Sequence, residues 1–389
     1  MNFGIFLAPW HVPGQDPTLA LERDLELIER LDELGYQEAW IGEHHSAGWE
    51  IIASPEIFIM AAAGRTRSIR LGTGVLSLPY HHPLMVADRV VQLDHLTRGR
   101  IILGVGPGSL PSDAFMMGID PMTQRERMEE SLEAIMALLD GSEPVTRSTD
   151  WFELRDARLQ LRPYTKPCFE VAVAAMVSPS GPRAAGRFGT SLVSLGATTT
   201  AGFDVLGSHW QVAEERALEF GTTVDRSRWR LVGPMHIAET EQQARREVKH
   251  GLADWVRYYR EVAALPLAPE GVNDDELVDH LNAGHFAVIG TPDMAVAQME
   301  RLREKSGGFG TYLFMAHDWA NREATLRSYE LMMREVYPRV SGTADSVVAA
   351  ERFAIDNRPA FAGAMMNAIG KAITDHHAEK QAQGDPATV

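Results

Sequence analysis

Eight short apolar runs, each followed by a stretch of helical periodicity, constrain this chain more than any other feature. The runs are FGIFLAP, EAWIGE, SIRLGTGVLSLP, RIILGVGPG, FEVAVAAM, SLVSLG, WRLVGPMHIA and GTYLFMAH. Their near-continuous apolar character fits strands of a parallel sheet buried on both faces. The intervening segments carry helix punctuation. Asp16-Pro17 and Ser54-Pro55 each place a capping residue before a proline at the first helical position. Leu21, Leu25, Ile28 and Leu31 then recur at helical spacing, and Gly35 closes that helix. Helical patterns follow at 83–99, 122–139, 181–188, 203–220, 240–260 and 323–336. Eight alternating units favour an α/β fold of the (β/α)8 TIM barrel type, with insertions and a C-terminal helical extension, over an open doubly wound sheet.

The barrel is expected to occupy residues 1–340. Residues 141–168 separate the fourth helix from the fifth strand and read as a two-stranded insertion. Residues 261–288 are rich in alanine, proline and acids, with a short helix expected at 274–283. A connection of this length suggests a lid. Residues 341–389 read as a helical extension, with helices within 345–379 and a disordered tail, QAQGDPATV.

Composition narrows the functional classes. A net charge of −16 argues against nucleic acid and anionic membranes, both of which attract basic surfaces. No run approaches the roughly 20 apolar residues of a membrane span. The single cysteine, Cys168, excludes an internal disulfide framework or thiolate cluster. The N-terminus lacks a basic segment leading into an apolar one, so a cytoplasmic location is expected.

In such a barrel the chemistry sits at the C-terminal strand ends. Five of the eight ends carry histidine: His11, His44-His45, His81-His82, His236 and His317. Each taken alone is equally readable as a half-exposed, hydrogen-bonded side chain. A metal site is not expected. The first strand has no His-x-His pair, and adjacent residues such as His44 and His45 point to opposite faces of a strand. The loop GVGPGS (104–109) resembles the start of a dinucleotide fingerprint but has Ser109 in place of the third glycine. It reads better as a close-approach loop in which Gly106 lets a flat ligand lie against the backbone. Ser178, Ser180 and Gly181 stand at a helix entrance suited to a phosphate. Arg125 or Arg127 could add a charge-assisted bond there. A plain serine cap with surface arginines would read the same.

The ordered series FGIFLAP, LGYQEAWIGEHH, RLGTGVLSLPYHHPL, LDHLTRGRIILGVGPG, SPSGPRAAGRFG and IGTPDMAVAQMERL resembles the bacterial luciferase-like, flavin-dependent monooxygenases. GPGSLPSDAFMMGIDP and GGFGTYLFMAHDWA further resemble the limonene 1,2-monooxygenase type. The resemblance implies reduced FMN or FAD at the strand ends, delivered by an NADH-dependent flavin reductase. It also implies O2 as co-substrate, a flavin C4a-hydroperoxide as oxidant, and a homodimer or higher homo-oligomer. His44 matches the catalytic histidine, with a pKa suited to neutral pH. Gly74 and Val75 match a position that often carries a non-prolyl cis peptide under the flavin ring. Ser178, Ser180 and Gly181 match the phosphate turn. Pro107 stands where luciferases carry a phosphate-binding arginine, which leaves Arg125 as the candidate cation. His45 is expected to pack or hydrogen-bond in the wall, and Glu43 to orient a neighbour.

Oxygen transfer to a small hydrophobic substrate, such as a cyclic terpene, needs a water-poor pocket. Trp10, Phe115, Met116, Met117 and Trp319 stand at the right ends to line it, although each could equally be core. Two other readings are an F420-dependent oxidoreductase of the same superfamily and a non-catalytic flavin-binding protein.

Overall fold

The computed structural model describes residues 1–8, 10–263, 265 and 267–383. The barrel strands are β1 (Asn2–Leu7), β2 (Glu38–Ile41), β3 (Arg70–Thr73), β4 (Ile101–Gly106), β5 (Glu170–Ala175), β6 (Ser191–Ser194), β7 (Arg230–Gly233) and β8 (Thr311–Met315). Each pairs in parallel with its sequence neighbours, and β8 pairs with β1, so the sheet closes on itself.

Two of the expected strands are interrupted within their apolar runs. The third breaks after Thr73 at a cis peptide bond between Gly74 and Val75. It resumes at Leu76–Ser77, beside the end of β4. The seventh stops at Gly233 because Pro234 has no N–H to give the ladder. Met235–Ile237 then pairs in parallel with Val288–Gly290 in a separate two-stranded sheet. The insertion contains an antiparallel hairpin, Val145–Ser148 with Glu153–Ala157. The helix within 261–288 runs Asp274–Ala283 and opens with a capping box between Asn273 and Glu276.

The period of two along each strand sorts side chains between two cores. Phe3, Ile5 and Leu7 face outward under the helices, in a core shared with Leu71, Leu103, Val105, Val173 and Phe314. Phe6, Trp40, Ile102, Ala172, Val193, Val232 and Leu313 fill the barrel axis. Trp40 takes up so much of that space that its neighbours must be glycine. A Cβ on Gly72 or Gly74 would stand 2.9 Å from Trp40, and one on Gly104 would stand 2.7 Å from it.

Below Trp40 the axis is polar. The buried Arg230 guanidinium binds Glu38 through Nε at 3.0 Å and Nη2 at 2.7 Å. It also binds Glu170. Glu38 accepts the Trp40 indole N–H at 2.9 Å, and Arg70 bonds Glu170 at 2.8 Å. The plug thus ties β2, β3, β5 and β7 together from inside.

A further core lies over the strand ends. It joins Trp10, Trp49 and Trp319 to the helices Glu241–Val248, Leu252–Glu261 and Asp274–Ala283. By contact pattern the chain divides into two units, Met1–Val340 and Ser341 onward. The second contains helices Asp345–Asp356 and Arg358–Gln383. Residues 384–389, most of the tail expected to be disordered, lie outside the described residues. No described helix is long and apolar enough to cross a membrane.

The plug gives a stability prediction. Arg230→Met leaves the buried Glu38 and Glu170 with only the more exposed Arg70 as cation and should lower the unfolding free energy by about 3 kcal/mol. Burial alone would raise the Glu170 pKa, but Arg230 and Arg70 hold it at about 2. Its stabilising contribution is therefore complete above pH 4.5 and is lost as pH falls toward 2. Urea titrations of wild type and Arg230→Met across that range should converge as the carboxylate is protonated. A constant gap between them would contradict the account.

Candidate active site

Among the five histidine-bearing strand ends, His44 is the histidine that lines the large cavity at the mouth of the barrel. His11 is bound to Asp24 at 2.9 Å, His236 to Glu247 at 2.8 Å and His317 to the Met235 carbonyl at 3.1 Å. These three brace loops and leave the cavity to His44.

His44 is held on both ring nitrogens by carboxylates. Nδ1 lies 3.1 Å from Asp113 Oδ2, and Nε2 lies 3.2 Å from Glu50 Oε2. A ring facing acceptors on both sides is stable with a proton on each nitrogen. Burial pushes the imidazole pKa down, but Glu50 and Asp113 outweigh burial and raise it to about 9. The sequence places this group near neutrality; the two acids move it, so His44 is an imidazolium at pH 7. Asp113, on the short helix Pro111–Met116, also accepts the His45 backbone N–H at 3.0 Å and the Ser46 hydroxyl at 2.5 Å. It thereby clamps the turn that follows β2.

Glu43 is a structural hub. It accepts from His45 Nε2 at 3.1 Å, from the Ser77 backbone N–H at 2.6 Å and from His81. Burial alone would raise its pKa, but these bonds hold it at about 2. His45 thus bonds into the wall, on the opposite side of the chain from the cavity-facing His44.

The cavity measures about 560 Å³. Ser178, Ser180 and Gly181 line it from the entrance of helix Ser180–Phe188, and Arg125 lines it from the first turn of helix Gln124–Asp140. Ser178 Oγ accepts the Ser180 N–H at 3.3 Å and donates to Ser180 Oγ at 3.1 Å. No side chain caps this helix through its N-cap residue, Pro179. A Cβ on Gly181 would lie 2.4 Å from the Ala174 carbonyl oxygen, so the turn can sit this deep only with glycine. Two hydroxyls, a helix N-terminus and a guanidinium suit a phosphate monoester, which is the anionic end of a flavin nucleotide. Arg127 instead pairs with Asp150 at 3.5 Å and lies over Trp151, which leaves Arg125 for the cavity. Gly74, Val75, Pro107 and Gly108 form a low wall beside His44. Gly108 adopts φ +84°, and a Cβ there would strike Tyr80 Oη at 2.4 Å.

Several expected pocket residues sit elsewhere. Trp10 and Trp319 are buried but do not line the cavity. Trp10 stacks on Trp49 at 5.1 Å, and Trp319 meets Trp255 edge-on at 5.1 Å, both in the core above the strand ends. Phe115, Met116 and Met117 do not line it either. The helix Pro111–Met116 turns Asp113 inward, and Phe115, Met116 and the following Met117 are 85%, 64% and 38% exposed. Gly106 gives room to Val75, whose Cγ2 would lie 2.6 Å from an added Cβ; the cavity wall begins one residue later. The apolar lining comes instead from Phe6, Leu110, Leu195, Phe286 and Met315, with Tyr258 and Tyr259. Met315 was within reach of sequence reasoning, since it continues the inward alternation of β8. Glu50 and Tyr258 carried no comparable signal.

A helix entrance with two hydroxyls, a buried imidazole held by two carboxylates and an apolar chamber share one cavity at the C-terminal mouth of the barrel. The family model for luciferase-like monooxygenases matches residues 1–308. The chain is 52% identical over 342 residues to limonene 1,2-monooxygenase of Rhodococcus erythropolis, covering 88% of this chain and 87% of that protein. It is 49% identical over 354 residues to 4-hydroxyprotoasukamycin monooxygenase of Streptomyces nodosus subsp. asukaensis, covering 90% and 95%. A solved structure of the oxygenating constituent of 3,6-diketocamphane monooxygenase from Pseudomonas putida, in complex with FMN, matches with a TM-score of 0.72. That match has 26% identity and covers 87% of this chain and 98% of the other. The chain belongs to the luciferase-like monooxygenase family. It is an oxidoreductase, a flavin-dependent monooxygenase.

The cradle is testable directly. Gly181→Ala forces the turn away from the Ala174 carbonyl and should weaken FMN binding at least about tenfold, a loss of about 1.4 kcal/mol. Calorimetric titration with FMN measures it. Unchanged affinity would place the phosphate elsewhere.

Proposed function

We propose that this chain is the oxygenase component of a two-component system. It takes reduced FMN or FAD from an NADH-dependent flavin reductase and uses O2 to insert one oxygen atom into a small hydrophobic molecule. A cyclic terpene such as limonene, converted to its epoxide, fits best. The observation that carries the proposal is one cavity holding the phosphate-type cradle, the His44 imidazolium and an apolar wall together. The identity to a relative named limonene 1,2-monooxygenase supports the substrate class. The FMN bound by the related oxygenating constituent favours FMN.

When bound, the reduced flavin supplies the electrons that activate oxygen. The chain's own residues do the rest. Ser178, Ser180, Gly181 and Arg125 hold the phosphate. Gly74 and Val75 give the ring a surface without bulky side chains. His44, charged at neutral pH, holds a proton on a nitrogen at the cavity wall. Phe6, Leu195, Phe286 and Met315 exclude water, which would otherwise quench the oxidant before transfer. Ala263, Leu265 and Phe286, from the expected lid 261–288, complete the lining. Ala264 and Pro266 of that segment lie outside the described residues.

The test supplies reduced FMN or FAD, O2 and a panel of terpenes. Limonene should give an oxygenated product. His44→Gln should lower coupled product formation by about 10²–10⁴, the usual span for a proton-handling group, and release hydrogen peroxide instead. Peroxide release with every terpene by the wild type would overturn the substrate class. Undiminished coupling in His44→Gln would overturn the role of the imidazole.

A further inference from the structure

The oxygens of Asp113 are occupied by the Ser46 hydroxyl, the His45 N–H and His44 Nδ1, all from the turn that follows β2. Glu50 is held differently. Its Oε2 faces His44 Nε2 at 3.2 Å, and its Oε1 accepts the hydroxyl of Tyr258. Tyr258 belongs to helix Leu252–Glu261, which lies in the core over the strand ends and not in the barrel wall. Its ring packs 5.5 Å from Trp49 and 6.5 Å from Trp10. The backbone of Glu50 bridges to Trp10. Main chain and side chain of this carboxylate are therefore fixed by separate elements. Glu50, Tyr258 and His44 all line the cavity.

We propose that Glu50 and Tyr258 are positioning residues for His44: Tyr258 holds the Glu50 carboxylate against Nε2, and this keeps a proton on that nitrogen at the cavity wall. The inference rests on the reading of His44 as the proton-holding group beside the flavin. Other charged or titratable groups near the pair are accounted for. Asp113 binds the opposite nitrogen, and Glu43 acts on His44 through space. His45 is engaged by Glu43. Tyr259 lies beside Tyr258 and directs its hydroxyl to Met315 Sδ at 3.5 Å. Arg257, over the Trp49 ring, is paired with Asp254 at 3.0 Å. Glu50 is thus the carboxylate on the Nε2 side, and its one phenolic donor comes from the helix above. Movement of that helix would free the carboxylate and leave Nε2 without its partner, while Asp113 kept the ring in place.

The test titrates His44 in the cofactor-free protein by NMR with isotope-labelled histidine, the resonance assigned by its loss in His44→Gln. Glu50→Gln keeps the shape and removes the charge. It should move the His44 midpoint down by about one pH unit or more, the usual effect of losing an adjacent opposite charge. Tyr258→Phe keeps the ring among the tryptophans and releases the carboxylate, so it should move the midpoint in the same direction by less. If Glu50→Gln does not fold, Tyr258→Phe decides alone. An unchanged His44 midpoint would overturn the proposal. Because the titration needs neither flavin nor turnover, it separates failure of this inference from failure of the proposed function, which coupled product formation by His44→Gln addresses.

Discussion

One guanidinium, Arg230, sits on the barrel axis between Glu38 and Glu170 and lets a sheet of eight short strands close around a filled interior. A buried cation is costly unless its bonds are complete. Here two acids from different strands face it, and Glu38 also accepts the indole of Trp40. The Arg230 guanidinium lies 5.2 Å from the Trp40 ring centroid. The plug therefore fixes Trp40 along the axis. Trp40 in turn fixes the glycines at 72, 74 and 104, which have no side chain to contest the space.

That arrangement carries to the site. With Trp40 occupying the middle of the axis, the upper strand ends are free to open into a chamber. The backbone at Gly74 and Val75 approaches it without bulk. Charge is handled differently at the two ends. At the bottom, cation and anions satisfy one another and nothing is left to react. At the top, His44 is also compensated, by Asp113 and Glu50, but one side of the pair borders the cavity. The same balance of burial against ion pairing yields a structural plug below and a charged imidazole at the cavity wall above.

Much of this was legible in the sequence because it depends on local chemistry. Strand and helix alternation predicts the barrel, and proline and glycine punctuation predicts most helix ends. Ser178, Ser180 and Gly181 are recognisable because a helix entrance with hydroxyls and no bulk is a local pattern. The pocket wall was less legible. Trp10, Trp319 and Phe115–Met117 share the strand-end address of true lining residues. Whether such a residue turns toward the chamber depends on elements distant in sequence, as where Tyr258 reaches Glu50 from 208 positions away. The raised pKa of His44 was not legible either: it needs Glu50 folded back onto one ring nitrogen, which a turn of six residues does not announce, and Asp113, 69 residues distant, on the other. The strand break at Pro234 was not read from the sequence, where WRLVGPMHIA stands as one strand. Nor was its consequence, a new pairing with Val288–Gly290.

The central claim is that the chamber above Trp40 receives a reduced flavin with its phosphate at one end and its ring beside His44. A crystal structure of the protein with FMN bound tests that claim most directly. The account predicts the phosphate within hydrogen-bond distance of the Ser178 and Ser180 hydroxyls and the isoalloxazine against Gly74 and Val75, with His44 at its edge. A flavin whose phosphate lies away from that turn, or whose ring lies outside the chamber, would contradict it.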